Sequence, residues 1–121
     1  MRRSVRLSVA FLMLAVAGAC ATTGGSGTSR NSNRITAEEL ETVATFSAYE
    51  AVRRLRPQWL RVRTQAAPPV VFLDGVQMGG PEVLNNFRAS QFREMLHRSG
   101  PDATTLYGTG VAGGTIELVS R

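Results

Sequence analysis

The sequence predicts a small α+β domain, a mixed β-sheet with two or three short helices, and three features point to it. Two helix-start patterns stand close together after residue 35, an Asp-Gly pair splits two apolar runs in the middle, and two strand-like segments flank a short helix at the end. With 121 residues, 43% of them hydrophobic and 19% charged, the chain can bury one core and no second of useful size.

The elements follow in order. Thr36-Ala-Glu-Glu39 has the form of a capping box, a hydroxyl for the orphan amides with a Glu three residues on. Ser47-Ala-Tyr-Glu50 repeats the form and opens a longer helix, in which Ala48, Val52 and Leu55 recur at helical spacing while Arg53, Arg54 and Arg56 point elsewhere. Pro57 ends that helix or starts a new turn, because the residue before a proline resists the helical region. Trp59 and Leu60 are expected to pack the following chain onto the core. After Pro68-Pro69, VVFL and VQM read as strands joined at Asp74-Gly75, since a type I′ turn needs positive φ at both central residues. Gly79-Gly80-Pro81 begins a helical turn carrying Val83, Leu84 and Phe87. FREMLHR, residues 92 to 98, reads as a strand. Asp102 is expected to cap a short helix over Ala103 to Tyr107 that Gly108 terminates, and Thr115, Ile116, Leu118 and Val119 suit a last strand.

The first twenty residues belong to another process. MRRSVR is a basic region, LSVAFLMLAV an apolar run too short for a comfortable membrane span, and AGA supplies small residues before Cys20, so residues 1–19 read as a signal peptide. VAGAC resembles the lipobox of bacterial lipoproteins, with Ala17 where Leu is usual, which implies that Cys20 is acylated and anchors the mature chain. Ala21 in place of Asp implies sorting to the outer membrane, on its periplasmic face. Residues 21–34 contain no apolar residue larger than Ala, so residues 20–34 read as a lipidated N-terminus followed by a flexible tether. The domain is expected over residues 35–121.

Charge and single-residue chemistry exclude much. The formal net charge of +5 comes largely from Arg2, Arg3 and Arg6 in the leader; without them 11 Arg stand against 9 acidic residues. All basic residues are Arg. The densest run, Arg53, Arg54, Arg56, Arg61 and Arg63, reads as a solvated face or as a contact for anionic headgroups or an envelope polymer. It lacks interleaved aromatics for stacking bases, and the compartment disfavours nucleic acid. Cys20 is the only cysteine and His97 the only histidine, which leaves too few ligands for a zinc site. Asp74 has no second carboxylate or His nearby in sequence, and the spacing around His97 suggests no nucleophile and orienting acid. No catalytic residue, metal or cofactor is expected. Gly108-Thr-Gly-Val-Ala-Gly113 matches G-x-G-x-x-G literally, but a dinucleotide turn needs a strand before the glycines and a helix after them, and the order here is the reverse.

The same glycines fit another pattern. SGPDATTLYGTGVAGGTIELVSR resembles the end of the plug domain of TonB-dependent outer-membrane receptors, with Gly100-Pro101, Tyr107-Gly108, Gly113-Gly114 and Ile116 in the places of that motif. VVFLDGVQM resembles the plug hairpin with its central Asp74-Gly75, and AYEAVRRLRP resembles the leading plug helix. The likeness covers residues 35 to 121. The chain ends where the receptor barrel would begin, no energy-coupling box is evident before Ile35, and the region between helix and hairpin is short. The resemblance therefore implies a free-standing plug-like lipoprotein, acting as a binding or accessory module with a barrel or other envelope protein as its partner. The alternative expectation is a binder of a small ligand or an anionic polymer through residues 53–63.

Overall fold

A computed structural model of the chain describes residues 31–62 and 67–121. The signal peptide, Cys20, most of the tether and Arg63 lie outside the described residues.

The first pieces of structure come from local capping. Strand β1 (Arg34–Ile35) leads into helix α1 (Ala37–Glu41), where Thr36 and Glu39 form the expected reciprocal capping box. Ser47 caps helix α2 (Ala48–Leu55) by accepting from the Glu50 amide, and Ala48, Ala51 and Val52 form its buried face. Pro57 occupies the first turn of a 3-10 helix, Pro57–Leu60, where its missing N–H costs nothing.

Strands β2 (Val70–Leu73) and β3 (Val76–Gly79) form the hairpin around Asp74-Gly75, with φ of 48° and 86° at the two turn residues, as a type I′ turn requires. Two further 3-10 turns, Pro81–Asn86 and Ala89–Gln91, lead to β4 (Phe92–Arg98). Helix α3 spans Gly100–Tyr107, three residues longer at its start than the sequence suggested. Its cap is Ser99, whose Oγ accepts from the Asp102 amide, so Asp102 sits inside the first turn. A 3-10 turn, Thr109–Val111, and Gly113-Gly114 then deliver the chain to β5 (Thr115–Ser120).

The five strands form one sheet in the order β1-β4-β5-β2-β3. β2 and β5 run parallel and every other neighbouring pair runs antiparallel, so the sheet is mixed. Register fixes two faces. Val71, Ile116, Leu118 and Met95 share the side that packs against Leu40, Val52, Trp59 and Leu84 from the helices and turns. Phe72 faces the other way and forms a smaller cluster with Ala103 of α3 and Val111. Burying α1 and α2 on one face and α3 on the other removes apolar surface on both sides of a four-residue central strand, and this accounts for the continuous apolar run at β2.

The tether ends earlier than its composition suggested. Asn31, Ser32 and Asn33 are held by their carbonyls, which accept from Arg56 Nη2 at 3.3 Å, Trp59 Nε1 at 2.8 Å and the His97 amide at 2.9 Å. The ordered domain therefore includes residues 31–34. Polar residues with no apolar bulk are fixed here by hydrogen bonds from a distant arginine and tryptophan, which composition does not reveal.

Candidate functional site

Three backbone segments meet where β4 ends and β5 begins, and glycines allow it. A Cβ on Gly113 would run into the carbonyl oxygens of Ala67 and Pro68, and one on Gly100 into that of Ala112. Gly114 adopts φ of 91°, and a Cβ there would lie 2.5 Å from the Arg98 carbonyl oxygen. The close approach lets Gly114 offer its carbonyl to the Val70 amide at 3.0 Å, which starts the parallel β2–β5 ladder. Gly108, by contrast, ends α3 with φ of 87° in open space.

Two other residues of the plug-like pattern also hold the fold. The Asp74 carboxylate accepts from the Ser120 hydroxyl at 2.7 Å and the Ser120 amide at 3.0 Å, clipping the hairpin tip to the end of β5. Those bonds, the hydroxyl first, hold its carboxyl below the ordinary value of 3.8. The Tyr107 ring stacks on Phe72 with centroids 4.4 Å apart and its hydroxyl donates to Glu117 at 3.1 Å. Burial, and then the Glu117 bond, push the phenol up. Glu117 also accepts from Arg98 Nε at 2.6 Å, so one carboxylate on β5 joins β4 to the last turn of α3. Nothing in the sequence signalled Glu117, because its partners lie ten and nineteen residues away.

The described part of the arginine run, Arg53, Arg54, Arg56 and Arg61, does not form the shared face that its density suggested. Arg56 is 5% exposed and belongs to the interior. Its guanidinium pairs with Glu39 at 3.0 Å and donates to the carbonyls of Leu55, Asn31 and Arg34. The reason is Pro57: the helix stops there, and Arg56 leaves helical φ and ψ and turns inward beneath α1. Arg53 and Arg54 share Glu50 at 3.3 and 3.6 Å, and Arg54 also lies 4.1 Å over the Phe46 ring. Arg61 is exposed and stands apart from them.

Arg61 of the arginine run and Gly100, Pro101 and Gly113 of the glycine motif line one cleft of about 270 Å³ together with Trp59, His97 and Ser99. His97 is stacked on Trp59, ring centroids 5.4 Å apart and planes 16° from parallel. Burial lowers the imidazole below its ordinary value of 6.5, so the ring is neutral at pH 7. The Ser99 hydroxyl donates to Asp102 at 2.6 Å instead of to His97, and among the described residues no carboxylate lines the cleft to orient the ring. Among the described residues no group of three or more His, Cys, Asp or Glu is placed to hold a metal ion, and no helix is long and apolar enough to cross a membrane.

The opposite end of the sheet presents a different surface. Among the described residues β3 is the outermost strand and pairs only with β2, and Val76 and Met78 on it are 63% and 39% exposed. Val76-Gln-Met-Gly79 carries no charge. No family model matches the chain, and neither the curated proteins nor the solved structures give a significant match.

Proposed function

We propose that the chain is a non-enzymatic lipoprotein of the bacterial outer membrane, held at the periplasmic face through Cys20, whose plug-like domain docks a partner protein of the envelope. The observation that carries the docking part is the open β3 edge. An edge strand offers a row of unpaired amides and carbonyls, and proteins ordinarily guard it with charge, proline or a covering element. β3 is short, irregular in its pairing with β2 and followed by Pro81, which limits the edge to a few residues, but it carries no charge and exposes Val76 and Met78, which suits the addition of a short strand from a partner: main-chain bonds supply affinity and the two side chains supply contact area. The order of elements, with a leading helix, an Asp-Gly hairpin, a strand, a short helix and a Gly-Gly strand entry, supports the plug-like reading. The loss of Arg56 to the interior and the sharing of Glu50 weaken the alternative of a small-ligand or anionic-polymer site along residues 53–63.

The test is a photo-crosslinking residue at Gln77 of the full chain, irradiated in cells and analysed by mass spectrometry. An adduct with an outer-membrane protein that disappears when Val76 and Met78 are both changed to Lys supports docking. An adduct that survives those changes, or none at all, refutes it. In parallel, a fatty-acid probe that labels wild type and Cys20→Ala equally would refute the anchor.

A further inference from the structure

Asp74-Gly75 is the only place in the sequence where Asp or Asn precedes glycine. The pair is chemically labile, because glycine has no side chain to crowd its nitrogen when that nitrogen attacks the neighbouring carboxyl. Both residues stand exposed at the hairpin tip, and a Cβ on Gly75 would meet nothing within 4 Å.

The turn sets the geometry of that attack. In a type I′ turn the first central residue has ψ of about +30°, which places the next amide nitrogen opposite its own Cβ and out of reach of the carboxyl carbon. Flipping the one peptide plane between Asp74 and Gly75 gives a type II′ turn, in which Asp74 keeps its positive φ and its ψ becomes about −120°. Both turns suit a two-residue hairpin, so the strands need not separate. Glycine follows the flip without steric cost, its φ passing from 86° to about −80°. The Gly75 nitrogen then lies on the same side as the Asp74 Cβ. Against this stands the Ser120 clip, whose hydroxyl and amide hold the carboxylate to the end of β5 at 2.7 and 3.0 Å. The same bonds keep the carboxyl ionised, the form that releases water least readily.

We propose that Asp74 is a self-modification site that converts to isoaspartate, with Ser120 setting the rate. The Gly75 nitrogen bonds to Asp74 Cγ, and one carboxyl oxygen leaves as water with the amide proton and a proton from solvent. Water then adds at the main-chain carbonyl carbon of the resulting imide and the bond from that carbon to nitrogen breaks. Asp74 is left joined to Gly75 through Cγ, with a free carboxylate on Cα, and the proton returns to solvent. No oxidant or further reactant is needed. The product has an extra carbon in the main chain of a turn built for two residues. It upsets the Leu73–Val76 and Phe72–Gln77 pairing and, on the docking reading of β3, takes the docking edge away.

The full chain is incubated in detergent at pH 7 as wild type, Ser120→Ala, Ser120→Thr and Asp74→Glu, whose longer side chain would have to close a larger ring. Isoaspartate is measured by methyl transfer from a protein isoaspartate methyltransferase and located by peptide mapping, with circular dichroism to show that each variant is folded. The expected result is slow accumulation at residue 74 in wild type and Ser120→Thr, none there in Asp74→Glu, and accumulation about tenfold faster in Ser120→Ala, the weight of a hydrogen bond to a charged acceptor. A Ser120→Ala chain that reacts at the wild-type rate, a Ser120→Thr chain as fast as Ser120→Ala, or isoaspartate confined to other positions would each overturn the proposal. None of these readouts involves a partner at β3, so the modification and the docking edge stand or fall separately.

Discussion

Replacing Glu39 by Ala should be among the most damaging single changes outside the apolar core. Arg56 lies with its side chain 6% exposed, and Glu39, itself 21% exposed, is the only carboxylate that pairs with it among the described residues. Removing that carboxylate strands a guanidinium in the interior with only carbonyl acceptors at Leu55, Asn31 and Arg34. Breaking a buried pair in this way costs about 3–5 kcal/mol, and the partial exposure of Glu39 favours the lower end, about 3 kcal/mol. The same change removes the acceptor for the Thr36 amide and so half of the α1 capping box. Against a total of about 5–15 kcal/mol for a domain of this size, such a loss is a large fraction, and it should lower Tm by more than about 10 °C. Urea denaturation at pH 7, followed by Trp59 fluorescence, measures it. A double change, Glu39→Leu with Arg56→Met, should be less destabilised than Glu39→Ala alone, because removing both charges leaves nothing buried and uncompensated. A cost below about 1 kcal/mol for Glu39→Ala, or a double variant worse than the single one, would show that Arg56 is hydrated and not part of the core.

Three further outcomes follow from particular contacts. Gly113→Ala should cost about 3 kcal/mol or more, because its methyl meets backbone oxygens that cannot swing aside, whereas Gly110→Ala, facing open space, should stay within about 0.5 kcal/mol; thermal melts of the pair decide it. Asp74 has a folded pKa below its ordinary value, so its contribution is present above pH 3.8 and is lost as pH falls through the folded value; Asp74→Asn should flatten the acid limb of a stability curve, and an unchanged limb would contradict the Ser120 clip. For His97 the sign is that of a depressed base: below pH 6.5 the unfolded chain takes up the proton first, so stability is full above 6.5 and declines as pH falls toward the folded value. Melts between pH 8 and 5 should show that decline in wild type and less of it in His97→Phe, and a rise on acidification would refute the buried stack.

The local half of the fold was legible. The Thr36 and Ser47 caps, the Asp74-Gly75 turn, the Pro57 break and the two strands around α3 all rest on interactions within a few residues, and each lies where the residues imply. The start of α3 was misread by three residues because Ser99 and Asp102 are both competent caps, and only the chain direction out of β4 selects between them. Arg56 was misread as solvent-facing because helical periodicity was carried one residue too far: it is the first residue beyond α2, where the 3.6-residue rule no longer applies. The cleft was not legible at all, since Arg61, His97 and Gly113 are brought together by the sheet and by glycine contacts that have no trace in sequence spacing.

By itself, then, the sequence determined the order and type of the elements and the failure of the glycine run as a dinucleotide turn, because each depends on short-range stereochemistry or on composition. The tertiary structure decided the strand order, the parallel pairing of β2 with β5, the inward turn of Arg56 toward Glu39, and the gathering of Trp59, His97 and Arg61 beside the glycine wall. The physical reason is the same throughout: those outcomes come from desolvating distant groups against one another, and that free energy exists only once the sheet has closed and water has been expelled from both of its faces.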